Sequence, residues 1–360
     1  MMKFTHGGNI QEFCQAFKIR PRGIVDFSSN INPFAVEPRV KRAIRSCLNG
    51  IFRYPDPQNT KLKTALSRYL KVGGGSIAVG NGSADLIYRT VQALKPQAGI
   101  IVSPAFSEYE KALREAGIKV KFIRLKEING FDFHTEEIVK QVEANDIVII
   151  SNPNNPTGKI FPRKKLLFLM RSLRRKNTWL LLDEAFIDME WQESLCREAA
   201  EGKNLVVLRS MTKFYGLAGL RLGYAVGPPG LIKGILSRGQ PWPVNIMAQT
   251  AAEALLKDTG LKERARGLLL KERAFLFERL SRIKALKPYP TGANFIMLKI
   301  NSGPTANKLQ RRLLERGLLI RDCGNFSGLG NKYIRVAVKK HKDNLKLLSS
   351  LKAVLKDNEE

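Results

Sequence analysis

The chain has few cysteines, and those it has lie far apart. Its four cysteines, Cys14, Cys47, Cys196 and Cys323, form no CxxC pair within 360 residues. Such spacing argues against a disulfide framework and against a cysteine-rich zinc site. We therefore expect reduced thiols and no bound metal.

Long apolar runs are also missing. The N-terminal stretch is polar and lacks the apolar core of a signal peptide. No apolar run approaches the roughly 20 residues that a membrane-spanning helix needs. The sequence therefore predicts a cytoplasmic protein without a membrane partner.

Acidic residues are scarce relative to basic ones. The chain has 61 lysines and arginines against 32 aspartates and glutamates, which gives a formal net charge of +29. Such an excess can indicate nucleic-acid binding. However, the basic residues are spread through amphipathic segments such as 163–176, and no nucleic-acid motif is present. We interpret the charge as a solvated basic surface, which could also steer a polyanionic substrate, and we predict no nucleic-acid partner.

What the chain does have is a long alternation of helical and strand-like segments. Short apolar runs separated by helices are typical of an open, mostly parallel sheet that is covered on both faces. With 44% hydrophobic residues, the chain can form a large core. The sequence therefore predicts an α/β fold in which residues 38–243 form a large domain. Its predicted buried strands are 99–102, 146–151, 179–183, 205–210 and 222–226.

The pattern changes after residue 243. The remaining segment, 244–360, alternates longer helices with isolated strands, which predicts a smaller α+β domain. Residues 1–37 are expected to pack with it. The predicted elements of this domain are helices at 246–256, 261–283, 306–316 and 341–356, and strands at 294–300 and 333–338.

Polar motifs follow three of the predicted strands. Lys213 and Arg221 come after the strand that ends at Ser210, Asp183 ends another strand, and Asn155 follows a third. In open α/β sheets, ligands bind beyond the carboxyl ends of the strands. A pyridoxal phosphate site needs an amine to attach the cofactor, a carboxylate at the pyridine nitrogen and a cation for the phosphate. These motifs supply all three groups at one edge of the predicted sheet.

A glycine-rich turn at residues 80–85 opens a predicted helix. The N-terminus of a helix offers free amide groups to a phosphate. The same Gly-Asn-Gly-Ser sequence could be an ordinary helix cap, with its serine as the capping residue. Because Lys213 and Arg221 are also present, we favour the phosphate-binding role, with the hydroxyls of Ser210 and Thr212 as further donors.

Each remaining candidate also has a structural interpretation. Asn155 could belong to a plain turn, and Asp183 could serve a helix cap or a salt bridge. Arg335 and Arg321 interrupt apolar strands and need an anion, which could be a ligand or a structural ion-pair partner. His6 lies in a glycine-flanked loop, where a lone histidine is more often incidental.

These motifs resemble fold-type I pyridoxal phosphate enzymes of the class II aminotransferase group. The resemblance rests on Asn-Pro-Thr-Gly at 155–158, Asp-Glu-Ala-Phe at 183–186 and Ser-x-Thr-Lys at 210–213. Histidinol-phosphate aminotransferases are similar, and the threonine-phosphate decarboxylases of cobalamin biosynthesis are more similar still. The closer resemblance covers nearly the whole chain and includes His-Gly-Gly-Asn at 6–9 and Arg-Asp-Cys at 321–323.

The resemblance implies a homodimer with active sites at the subunit interface, and a role for each candidate residue. Tyr54 would reach the cofactor phosphate of the neighbouring subunit, and Tyr109 would stack on the cofactor ring. Asn155 and Asp183 would hold the ring, and Lys213 would attach it. The cofactor phosphate would be bound by Ser83, Ala84, Ser210, Thr212 and Arg221, and the substrate by His6, Asn30, Asn155, Arg321 and Arg335.

Phe186 departs from the aminotransferase pattern, in which a tyrosine hydroxyl usually donates to the ring oxygen. Because Phe186 lacks that hydroxyl group, the electronic tuning of the cofactor's ring oxygen should differ. The resemblance implies decarboxylation of L-threonine O-3-phosphate to (R)-1-aminopropan-2-yl phosphate and CO₂, for the cobalamin side chain. The alternative is an aminotransferase acting on histidinol phosphate or a related amine. A third interpretation, a non-catalytic nucleic-acid-binding protein, is supported only by the net positive charge.

Overall fold

The computed structural model describes residues 7–20, 23–34, 38–258 and 260–356. They fold around a seven-stranded sheet, a four-stranded sheet and a two-stranded pairing. The strands are β1 (Val25–Asp26), β2 (Ile77–Gly80), β3 (Ala98–Ser103), β4 (Lys119–Arg124), β5 (Ile147–Ser151), β6 (Trp179–Asp183), β7 (Leu205–Ser210), β8 (Gly223–Val226), β9 (Leu286–Pro288), β10 (Phe295–Ile300), β11 (Leu318–Leu319), β12 (Arg321–Asp322) and β13 (Tyr333–Ala337).

Helices cover both faces of the large sheet and pack on one face of the four-stranded sheet. The α-helices are α1 (Ile10–Ala16), α2 (Pro38–Cys47), α3 (Thr60–Leu70), α4 (Ser83–Leu94), α5 (Ser107–Glu115), α6 (Thr135–Gln141), α7 (Arg163–Arg175), α8 (Cys196–Glu201), α9 (Pro229–Leu236), α10 (Ile246–Leu256), α11 (Leu261–Ser281), α12 (Ala306–Glu315) and α13 (His341–Lys356). Short 3-10 turns occupy Leu48–Gly50, Gly74–Ser76, Glu127–Asn129, Ile187–Glu193 and Ala218–Leu220.

The seven-stranded sheet has the order β2-β8-β7-β6-β5-β3-β4. Strand β8 runs antiparallel to both of its neighbours, and the other pairs are parallel. The predicted α/β fold with a mostly parallel sheet is therefore confirmed.

Every residue of β5 is buried, and its side chains alternate between two cores. Ile147 and Ile149 pack with α4, α5 and α9 on one face, whereas Val148 and Ile150 pack with α3 and α7 on the other.

Two strands of this sheet were not predicted. Strand β4 forms one edge and carries exposed basic side chains, so it lacks the continuous apolar run of a central strand. Strand β2 forms the other edge and has only four residues. Solvent exposure weakens the apolar pattern of β4, whereas β2 is fully buried and is simply too short to stand out.

The smaller domain is built on the antiparallel sheet β12-β13-β10-β9. The N-terminal segment joins it, because β1 pairs in parallel with β11 and Phe13 packs against Leu314 and Leu319. Helix α10 instead packs against α2 and α3 in the larger core, as does the start of α11. The division at residues 243 and 244 stays a prediction, and this packing favours a later boundary, within α11.

The four cysteines are free thiols. Within the described ranges, no helix is both long and apolar enough to cross a membrane.

Gly99 on β3 lies against the buried side chain of Leu113. A Cβ atom added at Gly99 would lie 2.3 Å from Leu113 Cδ1, so a Gly99→Ala variant must displace a core side chain. Overpacking of this kind costs about 1–3 kcal/mol, so we expect a lower midpoint of urea denaturation. Gly73→Ala is the matched control, because a Cβ there would meet nothing within 4 Å. Equal midpoints for the two variants would contradict this packing.

Candidate active site

A cavity of about 360 Å³ opens beyond the carboxyl ends of β5, β6 and β7, with both domains contributing to its walls. It brings together all but one of the predicted site residues that lie in the described ranges. His6 lies outside those ranges, although its neighbour Gly7 lines the cavity. The predicted residues that line the cavity are Asn30, Ser83, Ala84, Tyr109, Asn155, Asp183, Ser210, Thr212, Lys213, Arg221, Arg321 and Arg335.

One wall of the cavity is the N-terminus of helix α4. The helix begins at Ser83 with Gly82 at the N-cap position, so Ser83 is not the capping residue. Gly82 has a positive φ, and no side chain caps the first amide groups. A Cβ at Gly82 would lie 2.7 Å from Arg221 Nη2, and a Cβ at Gly223 would lie 2.3 Å from the Ser83 nitrogen. Glycine at both positions therefore lets the free amides and the Arg221 guanidinium sit at one place.

Two hydroxyls complete this wall. Ser210 pairs with Gly223 across β7 and β8, which brings the end of β7 beside the helix terminus. The hydroxyl oxygens of Ser210 and Thr212 lie 2.7 Å apart, and both side chains are buried. Free helix amides, two hydroxyls and a guanidinium form an anion-binding site of the size and chemistry that a phosphate needs.

Lys213 lines the same cavity, and its side chain is partly buried. Its burial, together with the positive charges of Arg335 and Arg221, lowers its pKa to about 8, against the opposing effect of Asp183. A larger fraction of the amine is therefore neutral near neutral pH than in an ordinary lysine. Its Nζ lies 5.9 Å from the centre of the Phe186 ring. A neutral buried amine is the nucleophile that an aldehyde cofactor requires.

Asp183 is the buried carboxylate of the cavity. The hydroxyl of Tyr109 donates to Asp183 Oδ2 at 2.6 Å, and the Ala185 amide donates to Oδ1 at 2.9 Å. Burial raises the pKa of Asp183 although these hydrogen bonds favour its charged form. A cationic N–H group in the cavity would stabilise the carboxylate further.

Tyr109 lines the cavity and donates its hydroxyl to Asp183, and stacking of its ring on a cofactor stays a prediction. Phe106 lies in the same cavity and packs edge-on against Tyr109, with ring centres 5.8 Å apart. The sequence interpretation missed Phe106. Because it follows the carboxyl end of β3, the rule that identified the other motifs could have found it.

Two buried arginines form the small-domain side of the cavity. Arg321 on β12 and Arg335 on β13 are paired directly opposite each other and are only 4% and 5% exposed. Arg335 donates through Nη1 to Asn155 Oδ1 and through Nη2 to the Ser28 carbonyl oxygen at 2.8 Å. Burial and the charge of Arg321 lower the pKa of Arg335 to about 10, so it remains charged at neutral pH. Adjacent buried cations are costly unless an anion joins them.

A turn held by Asp26 supports this side of the cavity. Asp26 Oδ1 accepts from the Ser28 amide at 2.8 Å and from the Ser28 hydroxyl at 2.6 Å. The turn leads to Asn30, whose carbonyl accepts from Asn294 at 3.0 Å. Asn30 Oδ1 and Arg335 Nε are buried and have no hydrogen-bond partner among the residues that the structure describes. Both residues line the cavity, so these atoms are available to a ligand.

Tyr54 is the predicted site residue that the cavity of this chain does not include. Its side chain is 79% exposed and stacks on Trp242, with ring centres 4.4 Å apart. Phe52 and Ile51 beside it are also exposed. A role for Tyr54 in a neighbouring subunit stays a prediction.

A buried ion-pair network lies behind the cavity and was also missed. Arg209 Nη2 lies 2.6 Å from Asp188 Oδ1, and Arg209 Nη1 lies 3.6 Å from Glu184 Oε2. Arg209 precedes Ser210 and Glu184 follows Asp183, so the network ties together the ends of β6 and β7. The network therefore links two strands whose carboxyl ends border the cavity.

The residues of the cavity fit pyridoxal 5'-phosphate. The glycines at 82 and 223 leave a cradle beside free amides and Arg221 for the phosphate, and Lys213 supplies the amine. Asp183 offers a buried carboxylate to the ring nitrogen, and Asn155 lines the cavity with an amide group. The fit supports the roles that the sequence assigned to these residues.

Residues 22–351 match the family described as aminotransferase class I and II. The chain is 37% identical over 354 residues to a threonine-phosphate decarboxylase of Salmonella typhimurium, with 98% of this chain and 96% of that protein covered. The similarity thus extends over almost the whole of both proteins.

Two solved structures are similar in fold. The histidinol-phosphate aminotransferase from Clostridium acetobutylicum has a TM-score of 0.85 and 30% identity, covering 92% of this chain and 99% of that chain. The L-threonine-O-3-phosphate decarboxylase from Porphyromonas gingivalis has a TM-score of 0.81 and 27% identity, covering 92% and 100%. These similarities confirm the fold-type I architecture and the resemblance inferred from the motifs.

Replacing Lys213 tests the attachment of the cofactor. Lys213→Ala should abolish turnover and leave no cofactor that borohydride can fix to the protein, because no other amine lines the described part of the cavity. In cofactor-free wild-type protein, covalent attachment should accelerate as the pH rises through about 8, since only the neutral amine reacts. Borohydride-fixed cofactor in Lys213→Ala, detected by mass spectrometry, would show that a different residue forms the link.

Proposed function

Because the chain belongs to the aminotransferase class I and II family, a family of pyridoxal phosphate-dependent enzymes, we propose that it decarboxylates L-threonine O-3-phosphate. The product would be (R)-1-aminopropan-2-yl phosphate, used for the aminopropanol side chain of cobalamin. The observation that carries this proposal is the pair of buried arginines, Arg321 and Arg335, on the small-domain side of the cavity. A phosphorylated amino acid brings a dianionic phosphate, to which two neighbouring guanidinium groups can donate charge-assisted hydrogen bonds.

The large-domain side of the cavity holds the cofactor. Pyridoxal phosphate, when bound, supplies an electron sink for the charge left on the α-carbon after CO₂ or a proton departs. Asp183 would keep a proton on the pyridine nitrogen, which strengthens that sink. Lys213 would attach the cofactor, and its amine, once released, would deliver a proton to the α-carbon.

Substrate orientation decides which bond breaks. A bound cofactor would stabilise the charge left by whichever bond to the α-carbon the substrate-binding residues align with it. Arg321 and Arg335, with Asn30 and His6, would bind the phosphate and leave the carboxylate free to turn. Positioning then favours loss of CO₂ over loss of the α-proton.

We further propose that the active enzyme is a cytoplasmic homodimer. The exposed apolar side chains at Ile51, Phe52 and Tyr54, together with Trp242, form a surface that a second subunit could cover. Tyr54 would then reach the cofactor phosphate of the partner. Sedimentation of the wild type and of Phe52→Glu tests the assembly, since a charge in a buried apolar interface should favour monomers.

The first prediction of this proposal concerns the substrate phosphate. Charge-assisted hydrogen bonds to a dianion exceed those to a free hydroxyl, so kcat/KM for threonine phosphate should exceed that for L-threonine more than tenfold, or about 1.4 kcal/mol at least. Arg321→Ala should reduce the ratio of kcat/KM for threonine phosphate to kcat/KM for L-threonine. Arg311→Ala is the control, because this exposed arginine pairs with Glu315 on the surface of α12. Equal efficiency of the wild type with both amino acids would refute the assignment.

The second prediction concerns the reaction products. The purified enzyme should release CO₂ from threonine phosphate through many turnovers without a keto acid, because the cofactor is regenerated as the aldehyde. Phe186→Tyr should not create an aminotransferase, since this residue adjoins the ring and does not orient the substrate. The alternative function, a histidinol-phosphate aminotransferase, predicts a different result. The cofactor would then stall in its amine form until 2-oxoglutarate is added.

A further inference from the structure

A second cavity adjoins the active site. It has a volume of about 1010 Å³ and lies between the β3–β4 edge of the large sheet and the loop that connects β12 to β13. Residues that line both cavities form their common boundary. These residues are Ala105, Phe106, Ser107, Arg321, Asn325 and Phe326.

Two aromatic rings from opposite domains stand at this boundary, which we call the neck. Phe106 precedes α5 in the large domain, and Phe326 lies in the β12–β13 loop of the small domain. Phe326 is only 8% exposed, and its amide donates to the Cys323 carbonyl at 3.0 Å. Its own carbonyl accepts from the Leu329 amide, also at 3.0 Å. These two hydrogen bonds fix the backbone of Phe326, and with it the position of its ring at the neck.

Arg321 connects the neck to substrate binding. Its guanidinium carbon lies 5.3 Å from the centre of the Phe326 ring, and Nη2 donates to Asn325 Oδ1 at 2.8 Å. A substrate anion bound by Arg321 therefore ends beside Phe326. The amine at the other end of the substrate must reach the cofactor at Lys213, within the inner cavity. A longer substrate would have to push past the Phe326 ring into the outer cavity.

We propose that Phe326 is a specificity-determining residue that limits the length of the substrate between its amine and its phosphate. The inference rests on the proposed function, because it takes Arg321 as a substrate-anion ligand. Truncating the ring joins the two cavities and leaves a hole of the size of a phenyl group. A phosphorylated amino acid with an aromatic spacer should fill that hole.

The test compares O-phospho-L-threonine with O-phospho-L-tyrosine on the cofactor-loaded enzyme. Dissociation constants are read from the absorbance change of the bound cofactor when an amine joins it. The wild type should prefer threonine phosphate. In Phe326→Ala the ratio of the two constants should shift at least about tenfold toward phosphotyrosine, the scale on which apolar pockets discriminate size.

Two further variants make the result decisive. Leu329→Ala is the matched control, because Leu329 lines only the outer cavity, and it should keep the wild-type ratio. Phe326→Leu keeps an apolar side chain and should give an intermediate ratio, which serves if the alanine variant does not fold. An unchanged ratio in the Phe326 variants, or an equal shift in Leu329→Ala, would overturn the proposal.

This measurement separates the two proposals. It reports binding and does not depend on which bond breaks. If the enzyme binds threonine phosphate but releases no CO₂, the decarboxylase assignment fails while the ratio still reports on Phe326. If CO₂ is released but the ratio is unchanged, only the role of Phe326 fails.

Discussion

The active site depends on an imbalance of buried charge. Among the described residues that line the inner cavity, Lys213 and three arginines face a single carboxylate, Asp183. Burial, together with the neighbouring positive charges, lowers the pKa of Lys213 and of Arg335. A ligand that brings several negative groups offsets this excess of positive charge. The same imbalance therefore favours phosphorylated ligands and leaves a larger fraction of the Lys213 amine neutral than in an ordinary lysine.

The fold maintains this arrangement through residues beside the predicted site residues. On the large-domain side, glycines at 82 and 223 allow Arg221 and the α4 terminus to approach, and Arg209 ties β6 to β7. On the small-domain side, the turn held by Asp26 presents a carbonyl to Arg335. The positive groups of the large domain and those of the small domain thus stand on separate hydrophobic cores. The relative position of the two domains would therefore set the distance between the cofactor and the substrate anions.

Sequence alone could predict much of this site, because strong periodic signals surround it. The central strands are buried on both faces and read as continuous apolar runs, so residues after their ends, such as Asp183 and Lys213, could be placed at one edge. The edge strand β4 lacked that signal. Phe106 was missed although its place after the carboxyl end of β3 could have marked it. Ser28 was missed because a backbone carbonyl carries no motif, and its contact with Arg335 arises only when the two domains meet.

The fold itself does not decide between decarboxylation and transamination, because enzymes of both kinds share it. The groups that would hold the cofactor ring, Asp183 and Asn155, serve either reaction. Phe186 removes a hydroxyl from the ring environment, which changes the tuning of the cofactor but not the direction in which a substrate carboxylate points. On the proposed function, the choice would therefore lie with the groups that bind the substrate anions, chiefly Arg321 and Arg335. Reaction type would then follow from where positive charge is buried in the small domain.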